Sequence, residues 1–317
     1  MKAVFLDSQS LDDLDASPLA ACVEELVSYP TTTPEQVAER IAGFDLVITN
    51  KVVLDADLIR AADALKLVCV VATGVNNVDL EAASARGIPV CNAQGYGVNS
   101  VAQHVLGLML ALHTRLLDYD QAVKRGDWNR SSQFCLLDYP ILELSGRTLG
   151  IIGHGALGQE VARLASCFGM QVLVAARPGS SDIPEGRVAL TELLQHADVI
   201  SLHCPLTEQT RDLIDAQALA QMKPGSFLIN AARGGVVNEA ALKDALCSGH
   251  LGGAATDVLT EEPPCSGNTL LDASIPNLII TPHSAWGSVQ ARETIIRQTV
   301  ENIRSYQAGT PVRQVND

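Results

Sequence analysis

Short apolar runs recur along the chain, separated by segments with the spacing of amphipathic helices. In the first third, Ala3–Leu6, Leu46–Thr49, Leu67–Ala72 and Pro89–Cys91 have strand length. A helix is expected from Thr33-Pro34-Glu35-Gln36, with threonine as N-cap, proline at the first helical position and glutamine closing a capping box. Another is expected over Val78–Arg86, ended by Gly87 and Pro89. Strand, helix, strand in this rhythm implies a parallel sheet covered by helices on both faces.

After a long apolar helix over Val98–Leu117 and a loop over Trp128–Pro140, the rhythm restarts. Strands are expected at 148–152, 171–175, 198–202, 226–230, 252–256 and 277–280, with helices at 156–168, 191–196, 215–222, 238–248 and 289–307. The fold class is therefore α/β, with two doubly wound parallel-sheet domains. The last helix lies beyond the final strand of the second unit and is expected to pack back on the first. That makes residues 1–98 and 285–317 one discontinuous substrate-binding domain, with a dinucleotide-binding domain, 99–284, inserted in it and a cleft between the two.

Composition narrows the class. A chain of 317 residues with 47% hydrophobic and 18% charged positions reads as globular, long enough for two cores. No apolar run reaches the length of a membrane span, and Met1–Asp7 enters a strand at once, so neither a membrane partner nor a signal peptide is expected and the location read is cytoplasmic. The net charge of −14 argues against a nucleic-acid partner. The eight cysteines are scattered without a C-x-x-C pair and are read as small buried hydrophobes in a reducing compartment. No metal-ligand spacing is present, and no metal is expected.

Gly153-His154-Gly155-Ala156-Leu157-Gly158 follows one expected strand and opens an expected helix. In that context Gly153 permits the tight turn, Gly155 lets backbone approach a pyrophosphate, and Gly158 lets helix and strand pack closely. An NAD site places an acidic residue at the end of the next strand to bind the ribose 2′-hydroxyl. Ala176 stands there instead, followed by Arg177, Pro178, Gly179, Ser180 and Ser181. A guanidinium and two hydroxyls suit a 2′-phosphate, so NADP is favoured over NAD.

Three later strands run into polar segments: Asn230–Gly235, Asp257–Pro264 and Thr281–Trp286. The carboxyl ends of strands face the ligand crevice in such sheets, so Arg233, Glu262 and His283 converge on one edge. Singly, each could be a salt-bridge partner, a solvated loop residue or a satisfied histidine. Together they match the reduction of a 2-keto acid. Arg233 supplies a planar fork for carboxylate and carbonyl oxygens, His283 a proton donor, and Glu262 an anchor for the imidazole.

The chain resembles the D-isomer-specific 2-hydroxyacid dehydrogenase family over essentially its whole length. The motifs are Ala72–Asp79, Asn99–His104, the glycine turn, His203–Thr207, Asn230–Gly235, Asp257–Pro263 and Thr281–Trp286. Within that family, Phe134–Pro140 and the Thr281–Trp286 stretch are most similar to the glycerate dehydrogenase/hydroxypyruvate reductase branch.

The resemblance implies a flavodoxin-like substrate domain beside a Rossmann cofactor domain. It implies catalytic roles for Arg233, Glu262 and His283, and a substrate carboxylate held by backbone around Thr73 and Gly74. Cys204, Pro205, Ala231, Asp257 and His283 fall along the cofactor, with Asp257 near the nicotinamide carboxamide. A homodimer paired through the cofactor domains is implied as well, with the 128–140 loop reaching a neighbouring active site, and the regulatory C-terminal domain of many phosphoglycerate dehydrogenases is expected to be absent. Two alternatives stay open: a relative acting on lactate, phosphoglycerate, formate or phosphite, and a non-catalytic NAD(P)(H) sensor on the same fold.

Overall fold

The computed structural model describes residues 1–317 except Asp13, Ser181 and Asp317. The chain forms two compact units, Met1–Gly97 with Gly287–Asp317, and Val98–Trp286. No helix among the described residues is long and apolar enough to cross a membrane.

The first unit is a five-stranded parallel sheet of β1 (Lys2–Phe5), β2 (Glu25–Ser28), β3 (Leu46–Thr49), β4 (Leu67–Val70) and β5 (Val90–Cys91), in the order β2-β1-β3-β4-β5. This is the flavodoxin-like order, reversing direction between β1 and β3. β3 and β4 are buried at every residue, so they read as unbroken apolar runs. β2 escaped the sequence reading because it is a half-exposed edge strand with Glu25 and Ser28 at its ends. Thr33 and Gln36 close the expected capping box on the helix Pro34–Ile41. The terminal helix Val289–Gln307 completes this unit, and Asn302 Nδ2 donates to the Asn92 carbonyl at 3.0 Å.

The second unit holds β6 (Thr148–Ile152), β7 (Gln171–Val174), β8 (Val199–Leu202), β9 (Phe227–Asn230), β10 (Gly253–Thr256) and β11 (Leu278–Ile280), all parallel, in the order β11-β10-β9-β8-β6-β7. Successive side chains alternate between two cores. Val199 packs with the helix Val98–Thr114 on one face, and Ile200 and Leu202 pack on the other. The sheet reverses between β6 and β8, which is where an open α/β sheet opens its ligand crevice.

Two expectations about this unit change. The long helix stops at Thr114, not Leu117, because Arg115 turns left-handed at φ 53° and its Nε pairs with Asp118 at 2.6 Å before a second helix, Leu116–Lys124. Within the expected loop, Trp128–Arg130 form a 3-10 turn. The cysteines also divide: Cys69, Cys91 and Cys204 are buried, but Cys135, Cys167, Cys247 and Cys265 are exposed. Cys167 and Cys247 end helices on their outward faces, where periodicity cannot separate them from core positions.

Two histidines of this unit each have a buried ring nitrogen with no partner among the described residues. His113 Nδ1 contacts the Met109 carbonyl at 2.9 Å and its ring lies 4.1 Å from that of Phe227, while Nε2 has no partner. His203 Nε2 contacts Ser201 Oγ at 2.9 Å and Nδ1 has none. Burial lowers the pKa of His113, and pushes that of His203 down to about 4. The unfolded chain therefore binds more protons than the folded one once pH drops below the ordinary histidine value, and stability declines with acidification. The contribution of these histidines to melting temperature is expected to be flat above pH 7 and to fall steadily from there toward pH 4, as His203 alone removes about 3 kcal/mol of unfolding free energy. A melting temperature unchanged between pH 7 and pH 5 would rule this out.

Candidate active site

His283 follows β11 in the turn Thr281–Ala285 and carries φ 52°, a conformation side-chain-bearing residues rarely adopt. Its N–H donates to the carbonyls of Asp257 at 2.8 Å and Thr281 at 3.0 Å. Asp257, at the end of β10 and only 2% exposed, holds the rest of the turn. Its carboxylate accepts from Thr281 Oγ1 at 2.5 Å, from the Ser284 N–H at 2.9 Å and from the Ala285 N–H at 2.9 Å. His104, on the long helix, approaches Thr281 Oγ1 at 3.0 Å from beneath. In the fold Asp257 and His104 together build the turn that presents His283.

Glu262 Oε2 lies 2.6 Å from His283 Nδ1, and Oε1 accepts the Leu259 N–H at 2.7 Å. Both side chains are one third exposed. With Nδ1 engaged by a carboxylate, the proton on Nδ1 is fixed and Nε2 is left to face outward; it makes no hydrogen bond among the described residues.

Arg233 stands three residues beyond buried Asn230, the last residue of β9, whose side chain pins the turn by bonding both the Ala232 N–H and the Arg233 carbonyl. The exposed guanidinium donates to the Ala232 carbonyl at 2.7 Å and pairs with no carboxylate among the described residues. Its neighbour Gly234 lies directly on the Glu262 loop. A Cβ there would sit 1.8 Å from the Leu259 carbonyl oxygen. Arg233, Glu262 and His283 are thus brought to one edge of one sheet, Glu262 bonded to His283 and the Arg233 loop packed against the segment that carries Glu262.

The glycine turn lies at the sheet's reversal. Gly153 has φ 93°, and a Cβ on it would meet the Cys204 nitrogen at 2.5 Å; one on Gly158 would meet the Gly153 carbonyl oxygen at 2.2 Å. A Cβ on Gly155 would meet nothing within 4 Å, and here the helix Ala156–Cys167 begins, its first N–H groups without intrahelical acceptors. Tight packing behind and open backbone in front fit a dinucleotide pyrophosphate. Beside the turn is a cavity of about 340 Å³, whose lining includes Gly153, His154, Ala176, Arg177, Arg187, Cys204 and Pro205. Arg187 was missed, because it lies eleven residues past Ala176 on an irregular excursion. Burial first, and the Arg187 guanidinium second, hold the His154 imidazole below its ordinary range.

Other sequence-singled residues are placed differently. Ser180 Oγ donates to the Asp182 carbonyl at 3.0 Å and does not line the cavity, and Ser181 lies outside the described residues. Ala231 sits half-buried in the turn after β9. Thr73 and Gly74 follow β4 in the first unit. There the Thr73 hydroxyl donates to the Ala93 carbonyl at 2.9 Å, Asn92 Nδ2 binds the Thr73 carbonyl at 2.8 Å, and the N–H groups of Thr73 and Gly74 bond to none of the described residues.

A glycine turn at the reversal of a parallel sheet, with a carboxylate–imidazole pair and a free arginine on its carboxyl edge, defines a dinucleotide-dependent dehydrogenase. Residues 106–285 match the NAD binding domain of the D-isomer specific 2-hydroxyacid dehydrogenases. A glycerate dehydrogenase from Methylorubrum extorquens is 46% identical over 98% of this chain and 97% of its own. A hydroxypyruvate reductase from Blautia hydrogenotrophica is 38% identical over the full length of both. Among solved structures, an NADPH-dependent glyoxylate/hydroxypyruvate reductase from Sinorhizobium meliloti, in complex with citrate, superposes with a TM-score of 0.83 at 27% identity, covering 99% of this chain and 97% of that one. The chain belongs to the D-isomer specific 2-hydroxyacid dehydrogenase family. It is an enzyme of that class, using a nicotinamide cofactor.

Proposed function

We propose that the protein reduces a small 2-keto acid, hydroxypyruvate or glyoxylate, to the D-2-hydroxy acid, with His283 as proton donor and with NADP(H) preferred over NAD(H). The 2.6 Å contact between His283 Nδ1 and Glu262 carries the catalytic part of this reading. When bound, the cofactor supplies the hydride. Nε2 of His283 gives its proton to the carbonyl oxygen as negative charge develops there, and takes it back in the reverse direction. Glu262 keeps the imidazole oriented and stabilises its protonated form. Arg233, with no carboxylate of its own, offers its fork to the substrate's carboxylate and carbonyl oxygens. The bare N–H groups of Thr73 and Gly74 are further donors suited to that carboxylate.

Binding of the cofactor is assigned to the glycine turn, the N-terminal residues Ala156 and Leu157 of the helix that follows, and the cavity at the end of β7. Ala176 in place of an acid, together with Arg177, supports the phosphorylated cofactor. Arg177 makes no ion pair among the described residues. Comparison of kcat/KM for NADPH and NADH with hydroxypyruvate tests substrate and cofactor together. An NADPH preference of at least tenfold is expected from one added charge-assisted contact. A clear NADH preference would overturn the cofactor assignment, and no turnover would overturn the substrate.

A homodimer through the second unit is also proposed. Leu116, Leu117, Val123, Trp128, Phe134 and Leu137, crowded into one short stretch, are all exposed, Phe134 at 92%. Apolar exposure on that scale marks an interaction surface. Light scattering is expected to give twice the 33.6 kDa chain mass, and Phe134→Asp to shift it toward the monomer; a monomeric parent protein would reject the assignment.

A further inference from the structure

We propose that Arg187 is the second cation of an anion site that reads the 2′-phosphate of the adenosine ribose, acting with Arg177; this rests on the NADP reading above. After β7 the chain makes an excursion and returns alongside it: the Val188 N–H donates to the Val174 carbonyl at 3.0 Å, and the Ala176 N–H to the Val188 carbonyl at 2.8 Å. This short parallel bridge places Arg187 beside the strand end that carries Ala176 and Arg177. Its guanidinium is aimed, not adrift. Nη1 donates to the Ala175 carbonyl at 3.2 Å, and Nη2 lies 3.5 Å from His154 Nδ1.

Charge makes the case. The chain has 36 acidic residues against 22 lysines and arginines, yet among the described residues the cavity wall holds two arginines and no carboxylate. Asp182 and Glu185, on the same excursion, are exposed and take no part in the wall. Among the described residues Arg187 contacts only a carbonyl and an imidazole, which leaves N–H groups available to an anion in the cavity that it lines. Two guanidiniums suit a dianionic phosphate, which accepts several charge-assisted hydrogen bonds at once. A ribose with a bare 2′-hydroxyl gains little from either.

The test is calorimetric titration of the full-length protein with adenosine 2′,5′-bisphosphate and with adenosine 5′-monophosphate. Arg187→Met is expected to lower affinity for the bisphosphate by roughly tenfold to a hundredfold, with the monophosphate moving less than about threefold. Arg187→Gln keeps a donor for the Ala175 carbonyl and is expected to give the same selective loss, which guards against misfolding of the methionine variant. Equal losses for both ligands in the glutamine variant would make Arg187 a structural residue and overturn the proposal. Unchanged bisphosphate binding would overturn it too, while a preference for the bisphosphate in the parent protein would leave the NADP reading standing. Equal binding of the two ligands by the parent protein would remove that reading, and this proposal with it.

Discussion

Replacing His283 by alanine is expected to lower kcat by about 10³-fold or more, with cofactor affinity little changed. The expectation rests on a single donor: Nδ1 is committed to Glu262, so only Nε2 can serve the substrate oxygen. Stability must be separated from chemistry, because His283 sits at φ 52° and its turn is locked by the Asp257 carboxylate. Asparagine tolerates the left-handed region better than alanine. His283→Asn is therefore expected to melt close to the parent protein while losing kcat as fully as His283→Ala, which should lose about 1 kcal/mol of stability as well. Steady-state kinetics and melting of both variants check this. Near-parental kcat in either one would remove His283 from the chemistry.

The second large effect is expected at a residue with no side chain. Gly234→Ala would place a methyl group 1.8 Å from the Leu259 carbonyl oxygen and 2.6 Å from the Thr260 nitrogen, a collision of the methyl with backbone that no rotamer relieves. Relief requires the two loops to part. One carries Arg233; the other carries Glu262, which is tied to the Leu259 N–H. Displacement of either by an ångström is expected to reduce kcat/KM by about a hundredfold. Overpacking of this kind is expected to remove about 3 kcal/mol of stability. Denaturant unfolding and kinetics on Gly234→Ala give both numbers; parental values for the two together would show that the loops are not held by this contact.

Much of the architecture was legible because parallel strands buried on both faces must be continuous apolar runs. β3, β4 and β8 are such runs and were found within two residues of their ends. β2 was not, since an edge strand with one wet side carries no comparable signal. The break at Arg115 was hidden for a related reason: Leu116 and Leu117 continue the apolar pattern of the helix before them although both face outward.

The site divides in the same way. Arg233, Glu262 and His283 could be named as candidates because each follows an apolar strand within six residues, and in a doubly wound sheet the segments after the strands face the ligand. The glycine turn was readable from its spelling between a strand and a helix. Asn230, Asp257, Thr281 and His104 were not assigned their supporting work. Their partners lie on other segments: Thr281 reaches Asp257 from another strand, and His104 reaches Thr281 from 177 residues away. Arg187 was invisible because only the return of the chain beside β7 puts it at the cavity.

By itself the sequence determined the alternation of strand and helix, the glycine turn and the candidate residues for a hydride-transfer reaction, since these depend on local pattern and on side-chain chemistry. Tertiary structure alone decided which carboxylate lies against His283, which glycine sets the spacing of the loops bearing Arg233 and Glu262, and which cations line one cavity. Those are distances between segments far apart in the chain, and they exist only once the sheet has ordered its strands.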